Sequence, residues 1–222
     1  MNNKIKLIEC MRTWQGEGID AGKQALLCRF KYCNRSCKYC DTIVKMRVSK
    51  ESEYDIKDLQ KELNKYRLSL IITGGEPTIP RHIDEAAILL NELDYILANV
   101  ETNGFQLEKL IKMTDPAKNV HFIYSPKIFN EHDLKSAVEL TTNLLPNNKV
   151  FIKVVYEDDS FIKDYLEWLS EQITFKQSNK VWLMSEGATR VDLIKNSSMV
   201  FDACEKYRFN FSSRDHIVFN FI

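Results

Sequence analysis

The sequence predicts an α/β fold, a partial (β/α)6-type barrel with a mostly parallel sheet and flanking helices, and three observations lead there. Short blocks rich in β-branched and aromatic residues recur at 5–10, 25–30, 68–72, 99–102, 120–124, 150–155, 181–184 and 217–221, with stretches of helical period between several of them. Blocks such as 68–72 are apolar almost throughout instead of alternating, as parallel strands covered on both faces are. The polar and glycine-bearing motifs stand just after these blocks, at the carboxyl ends where active sites of parallel sheets gather. About six β-α units fit, too few for the eight of a closed barrel.

Each element has a local reason. Block 5–10 leads into the turn WQGEG at 14–18, and block 25–30 ends at a cysteine-rich loop, CNRSCKYCDT. In DIKDLQKELNKY, Ile56, Leu59 and Leu63 share one helical face while lysines and acids fill the other. TGGEP follows 68–72, with Pro77 suited to start a helix. HIDEAAILLNEL repeats the amphipathic pattern through Ile83, Ala86, Ala87 and Leu90. ETNG closes 99–102, SPK follows 120–124 and SEG follows 181–184. Helices are expected over 107–113, 160–172 and 190–206, and the last block, 217–221, reads as a strand. Five such loops on one rim point to an enzyme. There is no internal repeat, low-complexity segment or composition break, so residues 1–222 are read as a single domain.

Composition narrows the class. A hydrophobic content of 44% suits a packed core, and 31 basic residues against 31 acidic ones argue against a large nucleic-acid surface. The amino-terminal stretch lacks the apolar core of a signal peptide, and no run approaches a membrane span, so a cytoplasmic protein with no membrane partner is expected. In a reducing compartment clustered cysteines bind metal or do redox chemistry more often than they form bridges. Cys10, Cys28 and Cys204 read instead as isolated small hydrophobes.

Cys33, Cys37 and Cys40 make an odd set. A structural zinc site takes four ligands. No second cysteine pair or close histidine pair follows, with His82, His121, His132 and His216 scattered, although a Cys3His site stays open. A redox CxxC at Cys37 and Cys40 lacks its usual strand-helix setting, and a disulfide would strand one thiol. A [4Fe–4S] cluster accounts for the count, since three thiolates leave one iron open to a ligand from outside the protein.

CxxxCxxC followed by GGEP at a strand end resembles the radical S-adenosylmethionine (radical SAM) superfamily. The resemblance implies a radical SAM barrel in which Cys33, Cys37 and Cys40 hold the cluster and SAM chelates the fourth iron. With WQGEG, CDT, ETNG, SPK and RDH (214–216) in this order, nearly the whole chain is similar to the 7-carboxy-7-deazaguanine synthase family. That family contracts 6-carboxy-5,6,7,8-tetrahydropterin to 7-carboxy-7-deazaguanine with loss of ammonia, on the way to queuosine and related nucleosides. The resemblance implies catalytic use of SAM, a Mg²⁺ requirement, an electron donor such as flavodoxin or ferredoxin, and a homodimer. A glycyl-radical activating enzyme shares the cysteine pattern, but QGEG, CDT and SPK disfavour it. A non-catalytic metal-binding module leaves the strand-end motifs unexplained.

The resemblance also implies roles. Trp14, Gln15, Gly16 and Glu17 match a substrate-contacting turn, where glycines at 16 and 18 would let backbone approach a flat heterocycle. Arg29 matches the arginine that pairs with the pterin carboxylate, and Thr73 a second substrate contact. Thr42 matches the Mg²⁺ ligand, with Asp41 ordering the cluster loop. Gly74, Gly75 and Glu76 match the SAM ammonium site. Glu101, Thr102 and Asn103 contact or support SAM, Ser125 and Lys127 bind it, and Met184, Ser185 and Glu186 lie where the family meets the adenine. The chain departs from the family in having LMSEG where Gln-Pro is common, in ending at Ile222 instead of proline, and in its compact 41–68 stretch. His216 reads either as a proton-transfer group or as a structural histidine.

Overall fold

The computed structural model describes residues 4–40, 42–174 and 177–221. Elements run β1 (Lys4–Leu7), β2 (Glu9–Trp14), β3 (Gln24–Phe30), α1 (Ile43–Val48), β4 (Ser52–Asp55), α2 (Ile56–Tyr66) and β5 (Ser69–Gly74). They continue with α3 (Ile83–Glu92), β6 (Ala98–Thr102), α4 (Leu107–Met113), β7 (Val120–Tyr124) and α5 (Glu131–Leu144). The rest are β8 (Val150–Tyr156), α6 (Ser160–Gln172), β9 (Val181–Ser185), α7 (Arg190–Tyr207), β10 (Asn210–Ser212) and α8 (Asp215–Val218). The chain divides into two compact units, one from Met1–Gln15 with Lys23–Ile123 and one from Gly16–Gly22 with Tyr124–Ile222.

In the first unit the strands lie in the order β7-β6-β5-β3-β2. β3, β5 and β6 are parallel, and β2 closes the edge antiparallel to β3. Leu26, Cys28, Phe30, Leu70, Ile72 and Val100 are buried on these strands, as the unbroken apolar runs require. α2 buries Ile56, Leu59 and Leu63, and α3 buries Ile83, Ala86, Ala87 and Leu90, the faces read from periodicity. Asp55 caps α2 through the Lys57 amide at 2.8 Å, and Arg67 ends it in the left-handed region. In the second unit β10, β9 and β8 are parallel. This is an α/β fold with a mostly parallel sheet and flanking helices. Among the described residues no helix is long and apolar enough to cross a membrane.

Three expectations are corrected, and one helix went unpredicted. Block 5–10 is two strands that part at Ile8: β1 pairs with β4 and β2 with β3. Block 217–221 is not a strand. The Arg214 carbonyl accepts from the Ile217 and Val218 amides and starts the short α8, since a short apolar run does not distinguish the two states. α5 was hidden because its buried positions are Asp133, Ala137, Thr141 and Leu144, half of them polar, with the Thr141 hydroxyl 2.7 Å from the Tyr165 hydroxyl. Cys10 and Cys28 are not isolated. They are directly opposed on β2 and β3 with hydrogen-bonded thiols, and Cys10 is only half-buried.

Candidate functional site

The cysteine loop is anchored by the strands on either side of it. After β5, the Gly75 amide donates to the Phe30 carbonyl at 2.9 Å and the Glu76 amide to the Tyr32 carbonyl at 2.7 Å. A Cβ on Gly75 would stand 1.9 Å from the Tyr32 oxygen, and one on Gly74 (φ +125°) 2.3 Å from the Phe30 oxygen. The two glycines therefore serve the chain's own backbone, letting β5 close onto the segment that enters Cys33.

His82 reinforces that segment, and the sequence reading passed over it as one of four scattered histidines. It is buried, stacks on Phe30 at 4.6 Å, and accepts the Tyr32 amide on Nε2 at 3.3 Å. The Arg81 guanidinium lies over the Tyr32 ring, 4.0 Å from its centre. Nothing in the local sequence around Pro77–Ile79 distinguishes His82.

Cys33, Cys37 and Cys40 are half-buried thiols outside any disulfide. The Arg35 amide donates to Cys33 Sγ at 3.4 Å, and the Cys40 thiol lies 3.4 Å from the Thr42 hydroxyl. Burial pushes the Cys33 thiol up, which a bound cation would reverse. Among the described residues no three His, Cys, Asp or Glu side chains converge tightly enough to grip one metal ion. Three soft thiols on one loop are a donor set that fits a cluster, each able to reach its own iron. Asp41 lies outside the described residues.

The Glu76 carboxylate accepts four hydrogen bonds, three on Oε1 and one on Oε2. It is 1% exposed and accepts from the Thr78 amide and hydroxyl at 3.0 and 2.7 Å, the Thr102 hydroxyl at 2.6 Å and the Asn103 amide at 2.6 Å. Burial raises its pKa against the opposing pull of these donors. The carboxylate ties the end of β5 to the end of β6. From there the Asn103 side chain reaches Asn34 Oδ1 at 2.8 Å and Cys33 Sγ at 3.9 Å. Gln15, buried after β2, donates to Glu101 at 3.2 Å, while Trp14 beside it is 44% exposed.

Arg29 faces Thr73 across β3 and β5 and Glu9 across β2 and β3. Its Nε donates to Glu9 at 2.7 Å, and Lys45 holds the other Glu9 oxygen at 2.7 Å. Burial would raise the Glu9 carboxyl, but Lys45 and Arg29 outweigh it and hold the pKa down.

In the second unit the Glu17 carboxylate sits among cations. Lys153 Nζ is 2.5 Å from Oε2, Arg214 Nε is 3.0 Å from Oε1, and His216 Nε2 is 3.7 Å from Oε1. Burial alone would raise its pKa, but Lys153, Arg214 and His216 hold it well below the usual carboxylate range. A Cβ on Gly16 would stand 2.5 Å from His216 Nδ1, so this glycine admits the histidine. The absence of a side chain at Gly16 thus already serves a contact within the chain. Gly18 adopts φ +67°, and its amide donates to the Ser212 hydroxyl at 2.8 Å. Lys127 donates to Ser125 at 2.7 Å. At the end of β9, Met184 and Ser185 are buried, the Ser185 hydroxyl has no partner, and the half-buried Glu186 accepts the Asn196 amide group on its carbonyl at 2.8 Å. An orphan hydroxyl at a strand end suits a site built for a polar ligand. Ile222 lies outside the described residues.

Comparison with known proteins agrees with this geometry. A family model described as the radical SAM superfamily matches residues 28–152. The 7-carboxy-7-deazaguanine synthase of Hyperthermus butylicus is 24% identical, over 98% of this chain and 94% of its own length. That of Clostridium acetobutylicum is 26% identical over 87% and 89%, and that of Neisseria meningitidis is 35% identical over 46% and 47%. The crystal structure of QueE from Escherichia coli superposes with a TM-score of 0.62 at 20% identity, covering 97% of this chain and 96% of that one. Streptococcus suis SuiB bound to precursor peptide SuiA gives 0.58 at 19% identity, over 84% and 47%. At these identities the structural likeness speaks for the fold. The sequence model that spans more than half the residues, cysteine loop included, says more: the chain belongs to the radical SAM superfamily.

Proposed function

We propose that this protein is a 7-carboxy-7-deazaguanine synthase, a lyase that contracts 6-carboxy-5,6,7,8-tetrahydropterin to 7-carboxy-7-deazaguanine with loss of ammonia, in queuosine and deazapurine biosynthesis. The observation that carries this reading is that a relative of that name aligns along 98% of the chain and 94% of its own length. Membership in the radical SAM superfamily makes it an enzyme that uses a [4Fe–4S] cluster and SAM. When bound, these supply reductive cleavage of SAM and abstraction of a hydrogen atom from a small-molecule substrate.

The chain's own groups then have distinct tasks. Cys33, Cys37 and Cys40 each hold one iron, and the Asn103 side chain shields Cys33. Gly74, Gly75 and Glu76 would form the site for the SAM ammonium. Glu101 and Asn103 support that site, Ser125 and Lys127 meet SAM oxygens, and Met184, Ser185 and Glu186 meet the adenine. Arg29, its Nε fixed by Glu9, offers its terminal nitrogens to the pterin carboxylate, with Thr73 beside it on β5. Trp14, Gln15, Gly16 and Glu17 contact the heterocycle, and Glu17, kept ionised, does so as an acceptor. His216, next to Glu17, is suited to hold or move a proton. Thr42 supplies one oxygen to Mg²⁺. The protein works as a single-domain polypeptide, as a homodimer in the cytoplasm, reduced by a flavodoxin or ferredoxin, and takes no nucleic acid.

Anaerobic reconstitution should give about four irons and four sulfides per chain. With carboxytetrahydropterin, SAM, reductant and Mg²⁺, the deazaguanine product should form without stoichiometric loss of SAM. A cluster that cleaves SAM yet gives no product would overturn the substrate assignment and favour another radical SAM reaction.

A further inference from the structure

Lys153 lies in the middle of β8, in the apolar run VFIKVVY, and nothing in that local sequence marks it out. Its side chain is only 4% exposed. A lysine is placed there only with a counter-charge, and Glu17 is that partner at 2.5 Å. The second carboxylate oxygen takes Arg214 Nε at 3.0 Å, and Arg214 is fixed in turn by the Gly187 carbonyl at 2.7 Å. Glu17 is thus gripped from two elements, one cation on each oxygen. Its neighbours leave little slack, because Gly16 packs directly against His216.

Buried charge clusters of this kind add little stability over a packed apolar substitute. Their better use is orientation. We propose that Lys153 is a positioning residue that, together with Arg214, presents Glu17 as a fixed acceptor to the N–H donors of the pterin ring. This rests on the deazaguanine synthase reading, in which Glu17 contacts the substrate. A carboxylate held this way accepts N–H and O–H groups and rejects an acceptor edge, so Lys153 contributes to ring selection without touching the ring.

The groups facing Glu17 are Lys153 from β8, Arg214 before α8 and His216 within it. Removing the Lys153 charge leaves burial opposed by two cations instead of three, so Glu17 takes up a proton at higher pH than before. His216 stays in place in the wild type and in the Lys153 variants alike.

The test is calorimetric binding of 7-carboxy-7-deazaguanine to the anaerobically reconstituted full chain from pH 5.5 to pH 8. Lys153→Met is expected to weaken binding at least about tenfold at neutral pH, with the deficit growing toward acid. Lys153→Arg should stay within about threefold. In a Glu17→Gln background Lys153→Met should cost nothing further, which a general packing defect would not reproduce. If Lys153→Met does not fold, Lys153→Gln is judged in the same way. Wild-type affinity in the uncharged variant, or losses that add independently of Glu17, would overturn the positioning role alone. No binding by the wild type would overturn the functional reading and this role with it.

Discussion

The backbone amide of Asn103 donates to the Glu76 carboxylate at 2.6 Å, while the Asn103 side chain reaches both Asn34 and the Cys33 thiol. One buried carboxylate therefore organises the loop after β6, and that loop braces the cluster loop after β3. Glu76→Ala would leave the Thr78 and Thr102 hydroxyls and two amides without their acceptor. At about 1–3 kcal/mol for each buried group left unsatisfied, a loss of at least about 3 kcal/mol is expected in urea unfolding of the apoprotein. Cluster retention after gel filtration should fall with it. Glu76→Gln, which keeps one acceptor oxygen, should lose less. Equal stability of Glu76→Ala and wild type would refute the bracing role.

Glycine substitutions separate close approach from backbone conformation. Gly75→Ala places a methyl 1.9 Å from the Tyr32 oxygen, whereas at Gly22 (φ +87°) nothing stands within 4 Å. Gly22→Ala should therefore cost only the left-handed strain, about 1–2 kcal/mol. Gly75→Ala should displace the entry to the cysteine loop and lose most of its iron on reconstitution. Iron and sulfide content alongside a thermal melt checks the pair, and a Gly75→Ala protein that binds its cluster normally would contradict it.

The six cysteines divide by position. Cys37→Ala should abolish SAM cleavage, because two thiolates cannot hold three irons. Cys204, buried on α7 with its thiol pushed up to about 11 by desolvation, is inert, and Cys204→Ala should keep cleavage largely intact at a stability cost of about 1 kcal/mol. Methionine and 5′-deoxyadenosine released on reduction measure both variants. Equal loss in the two would mean that the cluster ligands are misassigned.

How much of this was legible in the residues follows from what each element depends on. β3, β5, β7 and β9 are announced by long apolar runs, because both faces of a parallel strand are covered. α5 and β10 were not, since Asp133 is spent on the Phe129 amide at the start of its own helix, while Thr141 and Asn210 meet partners 24 and 29 positions away and carry no periodic signal. The cysteine spacing exposed the cluster loop because thiolate chemistry constrains local spacing. Lys153 and His82 stayed invisible because their meaning comes only from Glu17, 136 positions away, and from Tyr32, 50 away. The glycines were seen, but not their neighbours within the chain, Tyr32 and His216, contacts that a motif cannot display.

His82 gives the apoprotein a defined pH response. Burial, with the Arg81 charge beside it, lowers its pKa from 6.5 to about 4. Nε2 accepts the Tyr32 amide, so the ring proton sits on Nδ1, which is buried without a partner. Neutral imidazole is thus the form that fits the stack on Phe30. As pH falls below 6.5 the unfolded chain protonates this histidine while the folded chain does not until about 4. The unfolded state binds more protons in that window, so stability present above pH 6.5 is lost as pH drops toward 4. Between pH 7 and pH 5 the loss from this group should be about 2 kcal/mol. His82→Phe keeps a ring in the stack and removes the titration. Its urea-unfolding free energy should therefore fall about 2 kcal/mol less than that of the wild type across the same interval. Parallel pH profiles for the two proteins would show that His82 is already charged in the folded state, and the neutral stack above the cysteine loop would have to be abandoned.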